Sequence, residues 1–219
     1  MIAPYLHSAR EDVRQVAREA LEELPRRVGF YEPVPSRYIT PAYAHSWRRD
    51  VSADLASLEA RFETDYGFPI GDNVVGGPCS QDEVVALAAG RLRDVMPSDV
   101  LVWCQRVREV ALPDVANGYF LHAPEVICAH MRGDGIREVR GRHHDDVVVL
   151  GSNGGGTLYA ARTRSANAIY RLPPGEVIDG IYNSDDPSFA IIATSMVEFM
   201  DNLRDAVRRF ACGGEIINL

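Results

Sequence analysis

The strongest constraint on this chain is the run Gly151-Ser152-Asn153-Gly154-Gly155-Gly156. Ahead of it stand Val147, Val148, Val149 and Leu150, a short apolar run that is mostly β-branched, the pattern of a strand. After it, Thr157-Leu158-Tyr159-Ala160 resumes as a second strand. Asn and Gly tolerate positive φ, and successive glycines let two strands meet at a tight or bulged connection. The segment is therefore expected to form a β-hairpin near the middle of a sheet. Its six loop residues are assigned a structural role.

The remaining chain supplies helices before the hairpin and further strands after it. Ser8 and Glu11 form a capping box for a helix over residues 8–24, with Val13, Val16, Ala17, Ala20, Leu21 and Leu24 on one face. Residues 29–50 are rich in Pro and Tyr and predict an ordered arm lying over a surface. A second helix is expected from about Ser52 to Tyr66, on a stripe of Leu55, Leu58, Phe62 and Tyr66. Ser80 and Glu83 make another capping box, and the helix beginning at Met96-Pro97-Ser98-Asp99 carries Val100, Cys104, Val107 and Ala111 on its inner face. Asn117-Gly118 is a turn, Tyr119 to His122 a short strand, Ala123 to Met131 a short helix, and Gly133-Asp134-Gly135 a turn. Beyond the hairpin, Ala168 to Arg171 and Val177 to Tyr182 continue a meander, with Pro173-Pro174-Gly175 turning between them. A strand at Phe189 to Ile192 leads to a helix capped by Ser195 and Glu198, lined by Val197, Met200, Leu203, Val207 and Phe210, and ended by Gly213-Gly214.

Four of these stretches carry a resemblance. Leu150-Gly151-Ser152-Asn153-Gly154-Gly155-Gly156-Thr157-Leu158-Tyr159 resembles the central signature of the SUKH superfamily, the Smi/Knr-like domains. The Gly77-Pro78, helix, Met96-Pro97-Ser98-Asp99, helix order resembles the family's arrangement, with Met96 in place of the usual Leu. Asn117-Gly118-Tyr119-Phe120 resembles a subset of members, and Ala193-Thr194-Ser195-Met196-Val197-Glu198-Phe199-Met200 the family's closing segment. The resemblance covers roughly Gly77 to Phe210. It implies an α+β fold. It also implies a protein-binding role, because many bacterial members are immunity proteins that neutralise a toxin, often a nuclease.

The length, 219 residues, suits one large domain, or a domain of about 140 residues with an extension. Here the division is expected to fall between a helical N-terminal extension over 1–70 and a SUKH-like domain over 71–219. No apolar run approaches the roughly 20 residues of a membrane span, and the N-terminus lacks the basic and apolar regions of a signal peptide. A cytoplasmic protein is expected. The formal charge of −8 disfavours nucleic acid and suits a basic partner, although mildly acidic soluble proteins are common. None of the 23 basic residues is Lys, which is read as codon bias. Cys79, Cys104, Cys128 and Cys212 are scattered without zinc-ligand spacing, so reduced, mostly buried thiols are expected.

Little in the sequence demands chemistry. His143-His144-Asp145-Asp146 is the densest group of ligand types, but strand neighbours point to opposite faces, so a metal site would need ligands from elsewhere. The glycine run leads into a strand, not the helix that a phosphate loop requires. Ser152 lacks the surroundings of a nucleophile elbow, and His122 near Asp114 is the remaining candidate pair. No catalytic residue, metal or cofactor is therefore assigned. The candidate partner face is the second hairpin and its acidic rim: Glu176, Asp179, Tyr182, Asp185 and Asp186. The leading expectation is a non-enzymatic α+β domain, a mostly antiparallel sheet of about six strands packed by helices, that occludes a toxin. A regulatory interaction module and an enzyme acting on a small molecule or nucleotide are the alternatives. The enzyme reading requires a pocket where titratable groups such as His122, His143 or His144 meet a carboxylate.

Overall fold

The computed structural model describes residues 38–133, 135–164, 167–214 and 219. The helix expected over 8–24, the start of the Pro- and Tyr-rich arm and the centre of the 133–135 turn lie outside them.

The first described helix, α1, spans Pro41–Tyr66 and begins well before the expected Ser52. Residues 41–50 are thus helix and not an arm. The reason lies in Thr40-Pro41: Thr40 caps the helix by accepting from the Tyr43 amide at 3.1 Å, and Pro41 occupies the first turn, where its missing N–H is no loss. Gly67, at φ +80°, stops the helix and donates to Glu63 O. The buried side of α1 carries Ala44, Trp47, Val51, Leu55, Leu58 and Phe62. It packs on α5, the helix over Met196–Ala211. Trp47 Nε1 donates to Met200 O at 2.7 Å, and Tyr43 Oη donates to Asp201 at 2.9 Å. These contacts correct the expected division at residue 70, because the compact unit spans Arg37–Leu219 and includes α1.

Helix α2, Gln81–Leu87, has the expected capping box, with Ser80 Oγ accepting from Glu83 N and the Glu83 carboxylate accepting from Ser80 N. A 3-10 turn, Gly90–Asp94, leads to α3, Ser98–Cys104. This helix is shorter than expected. Val107 is buried beyond its end, and Ala111 lies in strand β2, Val110–Leu112. Three residues carry too little pattern to distinguish the end of a helical stripe from a strand. Asp99, the family-like acid at the start of α3, is 5% exposed and accepts from Ile39 N at 2.8 Å. It ties the segment entering α1 to α3, and burial raises its pKa.

The other strands are β1 (Val74–Val75), β3 (Tyr119–Leu121), β4 (Glu138–Arg140), β5 (Asp145–Asn153), β6 (Leu158–Arg162), β7 (Ile169–Leu172), β8 (Val177–Ile178), β9 (Ile181–Asn183) and β10 (Ala190–Ala193); α4 spans Pro124–Arg132. The expected α+β class holds, with ten short strands among the described residues in place of about six. β5 is the hub. It bonds β3 through Gly151–Asn153, β4 through Asp145–Asp146 and β6 through Val147–Ser152. From β3 the sheet continues to β2 and β1, and from β6 to β7 and β10. The β4-β9-β8 ribbon joins beside the start of β5, and β4 with β9 is the parallel pair in an otherwise antiparallel arrangement.

This branching explains why Val147 to Leu150 is apolar without alternation. Val148 and Leu150 face the main core, with α1, α3 and α5, while Val147 and Val149 face a second core with Tyr170, Leu172 and Tyr182. A strand covered on both faces has no polar side. Helix α5 buries the expected stripe, but its cap differs: Ser195 Oγ accepts from Glu198 N, while the Glu198 carboxylate reaches Thr194 N and Oγ1 instead of the cap residue. Among the described residues no helix is long and apolar enough to cross a membrane.

Candidate functional site

The glycine loop is a piece of architecture. Gly151 and Ser152 belong to β5, and Gly154, Gly155 and Gly156 make the turn to β6. Every amide of that turn already has a protein acceptor. Gly154 N donates to Asn117 O at 2.8 Å, Gly156 N to Asn153 O at 3.2 Å, and Gly155 N and Thr157 N both to Asn153 Oδ1 at 3.0 Å. A loop with its donors engaged has none to offer a phosphate. The first bond also seats the loop on the Asn117-Gly118 turn, so two of the family-like stretches touch.

The second hairpin is more telling. Residues 177–182 are not one strand but β8 and β9, joined by the two-residue turn Asp179-Gly180 with φ +53° and +80°. Both central residues at positive φ is the turn that Asp-Gly favours between twisted strands. Ile178 and Val177, 59% and 38% exposed, lie on β8 at the outer edge of the β4-β9-β8 ribbon, and Ile181, 37% exposed, pairs with Ile178 from β9. Edges are usually blunted by charge, and this one is apolar. Glu176 and Asp179 flank it, both exposed.

The rest of the expected rim serves the fold. Tyr182 is 2% exposed, and its hydroxyl donates to Pro173 O at 3.0 Å, so its ring supports the hairpin from beneath and does not face a partner. Asp185 accepts from Arg142 N at 3.1 Å. Asp186 accepts from Ser188 N and Oγ, which hold its carboxyl below the usual range. Arg142 Nη2 donates to the Asp185 carbonyl at 2.7 Å. Ser184, fully buried, donates to Arg140 O at 2.8 Å and accepts from His143 N at 3.0 Å. Together these bonds fix the base of the hairpin to the β4–β5 connection. The exposed apolar residues of this segment, Val177, Ile178 and Ile181, were not singled out from the sequence, and the Asp-Gly pair would have revealed the turn.

His143-His144-Asp145-Asp146 divides as strand neighbours must. The His143 ring lies 5.2 Å from that of Phe189, while His144, Asp145 and Asp146 line an open cleft of about 640 Å³ with Arg140, Arg162 and Arg164. Asp145 is held by an ion pair from Arg162 and by Tyr170 Oη, which donates to it at 2.5 Å. This convergence of histidine, carboxylates and guanidinium groups could not be read from the sequence, since it joins β4, β5 and the turn after β6.

The pair of His122 with Asp114 does not form. Asp114 instead accepts from Gly71 N at 2.9 Å and Asn73 Nδ2 at 2.8 Å, and His122 faces His130 edge-on at 5.3 Å. Burial and the neighbouring imidazole push the His122 pKa down to about 4, from an ordinary value near 6.5. The folded state therefore resists a proton that the unfolded chain accepts. Stability is unaffected by this group above pH ~6.5 and is lost progressively as pH falls from there towards ~4. His122→Phe should flatten the fall of Tm over that window; an unchanged pH profile would remove His122 as its source.

No protein-family model matches the chain, and no curated protein matches it. What stands is the fold itself: an α+β domain with a mixed, branched sheet, helices on one face, and a helical region at the start of the described chain.

Proposed function

We propose that this protein is a non-enzymatic binding domain of the SUKH immunity type, which acts in the cytoplasm and neutralises a basic toxin, such as a nuclease, by covering its active site. The observation that carries this reading is the β8–β9 hairpin, an exposed apolar edge of Val177, Ile178 and Ile181 flanked by Glu176 and Asp179. The apolar residues supply the area that leaves water on docking, and the carboxylates with the overall charge of −8 steer a positive partner. A regulatory role without a toxin would use the same face and differ only in the partner.

Two substitutions separate the contributions. Ile178→Asp should speed dissociation and weaken binding by at least tenfold, since a buried anchor becomes an unpaired charge. Glu176→Lys should mainly slow association at low salt, with little effect at high salt. Reversing the charge of Asp185 and Asp186 would confound this test, because both carboxylates hold local turns. Surface-plasmon kinetics against the captured partner would check both, and unchanged rates for both variants would place the interface elsewhere.

A second reading has its own support in the open cleft of Arg140, His144, Asp145, Arg162 and Arg164. Three guanidinium groups beside an imidazole suit a small anionic ligand. Their partners Glu138 and Asp145 already offset part of that charge, which is why the hairpin is preferred.

A further inference from the structure

Cysteines that are far apart in sequence meet at the junction of α2 and α3. Cys79 directly precedes the cap residue Ser80 of α2, and Cys104 is the last residue of α3. Cys79 N donates to Cys104 O at 2.9 Å, and Arg108 N donates to Gly77 O at 2.7 Å. These two bonds clamp the segment entering α2 against the chain leaving α3. The Cys104 side chain lies near enough to that of Cys79 to lower the Cys79 pKa, while its own is raised. Cys79 is partly exposed, whereas Cys104 is buried. The arrangement places an accessible sulfur beside a sheltered one. The backbone bond between the two residues supplies the proximity that a disulfide requires.

We infer that Cys79 and Cys104 form a reversible dithiol–disulfide pair, oxidised by a peroxide or a small-molecule disulfide and reopened by a dithiol reductant. With hydrogen peroxide, the Cys79 thiolate attacks one oxygen and the O–O bond breaks. This leaves a sulfenic acid on Cys79, and the departing hydroxide takes a proton to become water. The Cys104 sulfur then attacks the Cys79 sulfur and loses its proton, and the hydroxyl leaves as a second water. Two thiols and one peroxide thus give one disulfide and two waters. The neighbouring Cys104 side chain favours the thiolate at Cys79, and the Arg108 guanidinium adds to it. The inference is independent of the toxin-binding reading, since the pair lies on the helical layer and not on the hairpin.

The test uses the full chain with Cys212→Ser, which removes the exposed thiol and so prevents cross-linking between molecules. The protein is treated with hydrogen peroxide, its free thiols are alkylated, and it is digested without reduction. The expected product is a cross-linked Cys79–Cys104 peptide, lighter than its two thiol halves by two hydrogens and separated again by dithiothreitol. The oxidised protein should melt about 5 °C higher than the reduced one, because the bridge closes a loop in the unfolded chain. In a Cys104→Ser chain, Cys79 should stop at the sulfenic acid and be trapped by dimedone. Full alkylation of both cysteines after peroxide, or a bridge from Cys79 to Cys128, would overturn the inference.

Discussion

Replacing Gly151 with Ala is expected to destabilise the protein by about 3 kcal/mol or more, whereas Gly155→Ala, four positions along the same motif, should be nearly silent. A Cβ on Gly151 would lie 2.1 Å from Phe120 O, a backbone atom of the neighbouring strand β3. Nothing flexible can yield there. Either β3 moves away from β5 and its ladder bonds lengthen, or β5 twists and disturbs the bulge between Val149 and Gly151 opposite β6. At Gly155 the nearest atom is Asn153 Oδ1 at 3.4 Å, the φ is not in the left-handed region, and the site is exposed. Urea unfolding of the two variants checks the contrast. Similar midpoints would mean that the glycines serve flexibility and not the close approach of β3.

Trp47→Ala should cost about 4 kcal/mol, within the usual range for truncating a buried aromatic side chain. Trp47 is fully buried, sits edge-on to Trp103 with ring centroids 4.9 Å apart, and donates its indole N–H to Met200 O. The substitution leaves a cavity between α1, α3 and α5 and removes a hydrogen bond in its walls. The result distinguishes two accounts of the chain. If residues 41–66 are part of the core, unfolding remains one transition with a lower midpoint. If they were a detachable extension, a separate early transition would appear and the main midpoint would stay.

The legible parts of the sequence were those with long or chemically distinctive patterns. The hairpin around residues 151–156 announced itself through its glycines, α5 through an apolar stripe running along a sixteen-residue helix, and α2 through Ser80 and Glu83. Three kinds of feature were hidden. Short strands such as β1, β2 and β4 have two or three residues, too few for a period to show. Pro41 was counted into a Pro- and Tyr-rich arm, whereas Thr40 before it makes it a helix start. The cleft at His144, the Cys79–Cys104 contact and the His122–His130 pair bring together residues from separate elements, and only the branched sheet and the stacking of helices determine those meetings. The candidate partner face was half legible. Its carboxylates stood out as charge, but which of them are spent on turns, and that Tyr182 is an internal support, follows from hydrogen bonds that no spacing encodes.

The central claim is that the β8–β9 edge docks a basic protein. Its most direct test is a pair of parallel captures from the lysate of the source organism, one with the full chain and one with Ile178→Asp, each followed by mass spectrometry of the retained proteins. The account predicts that one basic protein is held stoichiometrically by the first and lost by the second, and that its toxic activity is suppressed when the unmutated chain is added. Retention of the same proteins by both chains, or of no basic partner by either, would contradict it.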